Sequence, residues 1–522
     1  MHRIYLIRIL LKKAALHRVR HPAVAAVPAD IKRAINAKGG TLVNERLTEY
    51  ASAIDNLVPA DFRNRVRFID YDGSTIKTMY VADGESAKAP EDPKHPGMVF
   101  QGWNCSLDNI QGHRDIGAIY TTKSGACEFD VRMRIPTGLT VTFYPYLESG
   151  TLTIEWGDGT SDTITETGRR EISYTYADYG DYTIKMKISG DGSWYIPDSF
   201  CQWSDGIYYL TAARIAGIRR VQEYAFQYKY GLQTVSLSRD VQTIGHAAFY
   251  ECRALVALVF PDTMTEIGHE LLNYCYGLSQ VVFSDSLTTI PDRVCHYCHT
   301  LDAVTIPDGV THIGHYAFHY CYALSEASFP DSLQNIGEYA FSYCMALREV
   351  RIPEGLTTIQ RCAFQDCYSI ESVHLPDSIT SMAENIFCSC RNLKSINIPL
   401  GISSIPNSFC RHCYALEQIE IPDQITQIGD DAFYECYRLT EVRFHADITT
   451  IRSGAFRYCR AMRNYYCYRT EPPNLTSSYV FSEIPGCCMI WVPKSTDRTV
   501  LTAYKTASNW SNYANHMAEM ED

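Results

Sequence analysis

The chain has 522 residues, of which 46% are hydrophobic and 20% charged, with 37 tyrosines, 20 cysteines and a net charge of −12. That length exceeds one compact core and predicts three or more domains, and the composition is that of a folded soluble protein. The acidic balance disfavours nucleic acid as the main partner, and no apolar run reaches the ~18–20 residues that span a bilayer. The chain opens with an apolar stretch, Ile4 to Leu11, that Arg8 interrupts, and basic residues follow at Lys12, Lys13, Arg18 and Arg20. A secretory signal needs an unbroken apolar region. Met1 to Pro22 therefore reads as a short amphipathic helix with a basic face, and no signal peptide is expected.

Between Ile31 and Val58, apolar Leu47, Tyr50, Ala51, Ile54 and Leu57 keep helical spacing. With Ile31-Lys32-x-Ala34-Ile35 and Lys38-Gly39 before them, they resemble a short motif of tail-associated proteins of phages and prophages. An ordinary amphipathic helical pair is the alternative. The resemblance implies that residues 1–62 are a helical attachment segment able to dock to a larger assembly. Next, Val66-Arg67-Phe68-Ile69 leads into Asp72-Gly73, a hairpin signal, and Phe100-x-Gly102-Trp103 supplies core. Residues 63–124 resemble a Listeria–Bacteroides repeat, a small β-rich spacer of bacterial surface proteins.

Residues 125–200 hold Trp156-Gly157-Asp158-Gly159-Thr160, Tyr174-x-Tyr176 and Gly180-Asp181-Tyr182 among alternating strands, which suggests a β-sandwich. The pairing resembles a PKD domain, an immunoglobulin-like spacer. Asp158 reads as a turn residue capping nearby N–H groups, with a calcium ligand as the other reading.

The strongest pattern follows. Ten cysteines, Cys252, Cys275, Cys298, Cys321, Cys344, Cys367, Cys390, Cys413, Cys436 and Cys459, stand 23 residues apart, and Lys229 holds the preceding position. In the same phase come Leu three residues after the cysteine, Ile eight before it and Phe three before it, as in Leu324, Ile336 and Phe341. Repeats at fixed spacing are the signature of stacked architectures. Leu324-x-x-Ala327-x-Phe329 reads as a strand, Pro330 ends it, and Gly337 permits a tight bend. One unit cannot close a core, but stacking buries each apolar set against its neighbours. The expected fold is mainly β and multidomain, with a leucine-rich-repeat solenoid of about eleven 23-residue units over residues 201–465. A small β-rich module and an immunoglobulin-like β-sandwich precede it. Residues 466–522 form a C-terminal cap, with Met489 to Pro493 as the last strand and Leu501 to Met520 as a helix. Cys-x-x-Leu, Ile-Pro-Asp and Ile-Gly-x-x-Ala-Phe over Val221 to Met462 resemble the BspA-like (Treponema-type) leucine-rich repeats, which implies a surface adhesin or binding protein without catalysis. Cys295 and Cys410 depart from that pattern where Phe is usual.

Cys295-x-x-Cys298 and Cys410-x-x-Cys413 have zinc-like spacing, but their cysteines occupy ladder and core-facing positions. They read instead as reduced, buried thiols bonded to turn carbonyls, so no metal or cofactor is expected. The adjacent pair Cys487-Cys488 has no account. No catalytic signature occurs, such as G-x-S-x-G, a phosphate loop or H-E-x-x-H, so no enzyme is expected.

The outward strand positions lie five and seven residues after each cysteine. They shift from small and apolar at the N-terminal end (Ala257, Val259, Val282, Ala303) to charged towards the C-terminal end. Glu349, Arg351, His374, Glu420, Glu441 and Arg443 form the candidate binding face for a protein or glycan receptor on a cell surface. A stripe of tyrosines flanking the ladder, among them Tyr274, Tyr297, Tyr320 and Tyr343, is a second candidate, with packing at the turn edge an equal explanation. The expected setting is extracellular, on a bacterial surface or a virion tail.

Overall fold

A computed structural model of the chain describes residues 64–134, 139–201 and 208–521. The motifs within Met1 to Pro22 and Ile31 to Val58 lie outside the described residues. The described residues divide into two compact units, one holding 64–66, 79–88 and 107–112, the other 67–78, 89–106 and the described residues from 113 onward. Within the first, the Asn64 amide donates to the Asp83 carboxylate (3.1 Å) and the Ile110 carbonyl (3.2 Å).

The first strands are β1 (Asn64–Ile69), β2 (Thr75–Val81), β3 (Met98–Trp103) and β4 (Arg114–Thr122), in the sheet order β2-β1-β4-β3. The hairpin expected at Asp72-Gly73 is present. Asp70 N–H donates to the Ser74 carbonyl (2.8 Å), and Gly73 sits at φ +86°, a conformation that suits glycine. Phe100 and Trp103 pack against Met98, Ala118 and Tyr120.

Strands β5 (Cys127–Met133), β6 (Thr140–Phe143), β7 (Tyr146–Glu155), β8 (Ser161–Ile164), β9 (Gly168–Arg169), β10 (Ile172–Thr175) and β11 (Gly180–Tyr195) follow. β6 and β10 form a two-stranded sheet, while β5, β11, β7 and β8 form a larger one. Trp156 is fully buried. Asp158 accepts from the Thr160 N–H (3.0 Å), the Thr160 hydroxyl and the Tyr174 hydroxyl, which is the turn-capping geometry. The Tyr174 hydrogen bond holds the Asp158 carboxyl below the usual carboxylate range. The larger sheet does not stop at residue 200. β5 pairs antiparallel with β12 (Tyr208–Ile215), which pairs parallel with Thr234–Leu237, and that strand pairs with Ala257–Val259. One sheet thus runs from the sandwich into the repeats, and one apolar core continues from Cys127 to Met517. The antiparallel strands close the end of the solenoid, as a terminal cap must.

The solenoid has about 13 turns of ~23 residues in a mainly β chain, more than the eleven units of the cysteine ladder. The turn that opens at β12 and those that hold Met489–Val492 and Met517–Glu519 carry no ladder cysteine. Two parallel ladders run along it. One carries the outward face, as in Glu326↔Glu349 and Arg351↔His374. The other joins the Ile positions, as in Ile313↔Ile336 and Ile336↔Ile359.

Each ladder thiol donates to a carbonyl 26 residues back. Cys275 reaches Phe249 (3.2 Å), Cys321 reaches Cys295 (3.2 Å) and Cys367 reaches Phe341 (3.1 Å). Burial raises the Cys275, Cys321 and Cys367 thiols, and Cys252 to about 12. The phenylalanines stack in columns: Phe341 on Phe364 at 5.5 Å, and Phe364 on Phe387 at 5.5 Å. At Cys410, where the column lacks its Phe, Phe409 reaches in at 5.9 Å from Phe387 and 6.3 Å from Phe433.

Gly337 serves a different purpose from the bend expected of it. Its φ is not positive, but a Cβ there would lie 2.7 Å from the Gly314 carbonyl carbon, so the close approach of successive rungs requires glycine. The left-handed residues are elsewhere: Tyr274 (φ 61°), Tyr297 (60°), Tyr320 (61°) and Tyr343 (60°), one before each ladder cysteine. Such residues cost of order 1–3 kcal/mol each unless the surroundings hold them. Here each N–H donates to the next rung, as Tyr274 does to the His296 carbonyl (2.8 Å), and the rings stack.

The C-terminal cap is less helical than expected. The helix spans only Thr499–Thr506, and a 3-10 turn covers Trp510–His516, entered through Asn509 at φ 64°. Met489–Val492 is not the last strand, because Met517–Glu519 returns to pair parallel with it.

Candidate functional site

The outward face of the solenoid sheet falls into two parts with different chemistry. Over the N-terminal part its small apolar residues are covered by this chain. Ala257, Val259 and Val282 are 1–3% exposed. Val259 and Val282 bury against Ile69 of β1 and Ile119 of β4. The backbone of Gly117 lies so close that a Cβ there would meet Val259 Cγ1 at 2.1 Å. Asn104, fully buried, donates to the carbonyls of Phe260 (3.3 Å) and Phe283 (2.9 Å) and accepts from Gly117 N–H (2.8 Å).

An ionic rim surrounds this contact. Arg67 pairs with Asp115 (2.6 Å) and Asp302 (3.4 Å), and Arg114 with Asp285 (2.7 Å) and Asp308 (3.2 Å). Arg239 reaches back to the Gln101 carbonyl. Burial raises the Asp285 carboxyl above its usual range, and Arg114 pulls it the other way. The drift from apolar to charged along the face thus has a physical cause. Ala257, Val259, Gln280, Val282 and Ala303 are an internal interface, not solvent-facing positions as the repeat phase suggests.

Beyond Glu326 the face opens. Glu349, Arg351, His374, Glu420 and Arg443 are exposed and Glu441 is half-buried. Register puts Arg351 beside His374 on neighbouring strands. Arg443 bonds Glu441 (2.8 Å) and the Tyr468 hydroxyl (2.9 Å). Glu349, Arg351, His374 and Glu420 have no side-chain hydrogen bond or ion pair among the described residues. The structure therefore brings together Arg351 with His374, and Glu441 with Arg443, but not the two groups with each other.

The candidate face also extends past the residues expected of it. Asn464, Tyr466 and Trp491 continue the face: Arg443↔Tyr466 and Tyr466↔Trp491 are in register, and Trp491 Nε1 donates to Asn464 Oδ1 (2.9 Å). Counting seven past Cys459 lands on Tyr466. The 25-residue step to Trp491 breaks the arithmetic.

The tyrosine stripe lies on the turn edge. Tyr274, Tyr297, Tyr320 and Tyr343 stack at 4.6, 4.6 and 4.7 Å. His296 and His319, stacked at 5.1 Å, sit among them with neither ring nitrogen hydrogen-bonded. Burial lowers His296 to about 3 and His319 to about 4, with His319 and Arg293 adding to the shift on His296. Because these tyrosine faces are spent on one another, the stripe is a packing feature before it is a surface.

Among the described residues no group of three or more His, Cys, Asp or Glu side chains is placed to hold a metal ion. Nor is any helix there long and apolar enough to cross a membrane.

The comparisons agree with the repeat architecture. Residues 219–348 and 335–463 match the BspA type Leucine rich repeat region family, in 6 copies. No curated relative matches the chain. Among solved structures, a leucine-rich repeat protein from Bacteroides ovatus is 18% identical, covering 63% of this chain and 92% of its own, with a TM-score of 0.45. A leucine rich cell surface protein from Faecalibacterium prausnitzii is 27% identical over 58% of this chain and 93% of its own, with a TM-score of 0.32. The pneumococcal vaccine antigen PcpA is 15% identical over 63% of this chain and 83% of its own, with a TM-score of 0.44.

Proposed function

We propose that the protein is a non-enzymatic recognition protein of a bacterial cell surface, which binds a receptor through the open C-terminal half of its solenoid sheet. The match of residues 219–463 to BspA-type repeats supports this setting. The observation that carries the reading is the division of the face. The chain buries the apolar half under β4, and leaves Glu349, Arg351, His374 and Glu420 exposed without side-chain partners.

A stacked sheet offers an extended surface to a partner, and exposed charges set which partner it accepts more than how tightly. In this reading β1 to β4 are a spacer of the Listeria–Bacteroides type that has become a cover, and β5 to β11 are a PKD-like end cap. The repeats occupy 201–465, residues 466–522 close the far end, and residues 1–62 serve attachment.

The test is binding of the purified chain to a panel of bacterial and host-cell surfaces. Glu349→Ala, Arg351→Ala and Arg443→Ala together should weaken attachment without lowering the melting temperature. Unchanged attachment removes this face as the binding surface.

A further inference from the structure

The far end of the open face carries a row of flat groups. The Arg443 guanidinium lies 4.6 Å from the centroid of the Tyr466 ring, and Tyr466 lies 6.5 Å from Trp491 with the planes 15° apart. The three occupy register positions on Glu441–Phe444, Asn464–Cys467 and Met489–Val492. The next register position is Ala518. A methyl group there ends the row and provides no ring to stack on the far side of Trp491. One strand spacing is ~4.8 Å, and stacked carbon atoms sit ~3.5–4.0 Å apart, so a ring laid over Ala518 would stand at stacking distance from Trp491. The tyrosine stripe on the turn edge differs, because each ring there already has neighbours at 4.6–4.7 Å.

The polar groups beside the row narrow the ligand. Glu441 neutralises Arg443 at 2.8 Å, so the row carries no net charge to attract an ion. The Trp491 indole N–H is taken by Asn464 Oδ1, which fixes the ring plane and leaves the Asn464 amide N–H groups without a partner among the described residues. Tyr468, 43% exposed, stands at the rim with its hydroxyl on Arg443. A flat apolar face framed by uncharged donors and acceptors suits a neutral sugar ring. The C–H face of a pyranose, slightly positive, lies on the negative face of the indole, and its hydroxyls turn outward to hydrogen-bonding groups.

We infer that Trp491, set between Tyr466 and Ala518, is a subsite for one ring of a neutral saccharide. The inference rests on reading the open sheet face as the recognition surface, and it makes the partner a glycan at this end.

The test uses the whole chain on an array of neutral glucose, galactose and N-acetylhexosamine oligosaccharides, with sialylated and sulfated ones alongside. The wild-type chain should retain neutral saccharides. Trp491→Ala and Ala518→Leu should each weaken retention at least tenfold, the second by filling the gap while leaving the indole in place. Tyr179→Ala, an exposed ring outside the sheet face, should leave it within twofold. Retention of no neutral saccharide, retention of acidic glycans only, or retention unaffected by both Trp491→Ala and Ala518→Leu overturns the subsite. If cell attachment is still lost on Trp491→Ala while no glycan is retained, the partner is a protein and the open face stands. If attachment survives the triple substitution of Glu349, Arg351 and Arg443, the reading of the face itself fails.

Discussion

Gly117→Ala should detach β4 from the solenoid without unfolding the solenoid. The new Cβ would lie 2.1 Å from Val259 Cγ1 and 3.1 Å from Cγ2. Val259 cannot retreat, because Ile69, Ile119 and Val282 surround it and it is 3% exposed. Overpacking a filled core costs about 1–3 kcal/mol. Any shift of residue 117 also strains its two hydrogen bonds to Asn104, at 2.8 and 2.9 Å, worth about 1 kcal/mol each. A total of about 2–4 kcal/mol corresponds to roughly 30- to 1000-fold easier opening.

Hydrogen exchange of the β4 amides should accelerate by that factor, while exchange in Glu349–Arg351 and Ser372–His374 stays as in the wild-type chain. Val259→Ala removes the atoms in collision, so the double variant should exchange more slowly than Gly117→Ala alone. Acceleration spread evenly over the repeats, or a double variant no better than the single one, would refute the interface.

Two further predictions concern buried groups. His296 and His319 have folded-state values near 3 and 4, below the ordinary 6.5, so they fold neutral. Their stability contribution is complete above pH 6.5 and falls as the pH drops towards 4, because the unfolded chain binds the protons first. At pH 5 each costs about 1–2 kcal/mol after allowance for partial exposure. Denaturation midpoints at pH 7 and 5 should differ by less in the His296→Phe, His319→Phe variant; an unchanged difference would remove these rings as the cause. For the cysteines, alkylation of the native chain should add one label quickly, at exposed Cys487, whereas unfolding should open all 20. Rapid labelling of Cys321 or Cys344 in the native chain would contradict the buried ladder.

The repeat was legible because its residues answer to one another every 23 positions. A cysteine, a Leu and a Phe that must stack on their own copies leave an arithmetic trace. The face positions were legible in phase but not in role. Ala257 and Val259 look like weak outward residues until β4 is seen to cover them, and a contact between segments about 140 residues apart leaves no periodic trace. Gly337 was recognised as necessary, but the steric demand of the rung at Gly314 is invisible in one unit. The cap departs from a single helix because the backbone turns extended at Ala507 after Thr506, and because Met517–Glu519 pairs as a strand whose short length carries no pattern. Trp491 escaped through the two-residue lengthening of the last spacing.

The central claim is that recognition occurs on the uncovered sheet face. Its most direct test is hydrogen exchange of the full chain, free and bound to a surface that it attaches to. Protection should appear over Glu349–Arg351, Ser372–His374, Glu441–Phe444, Asn464–Cys467 and Met489–Val492, and be absent from the turn edge at Tyr274 to Tyr343. Protection confined to that turn edge, or to the β5 to β11 cap, would contradict it.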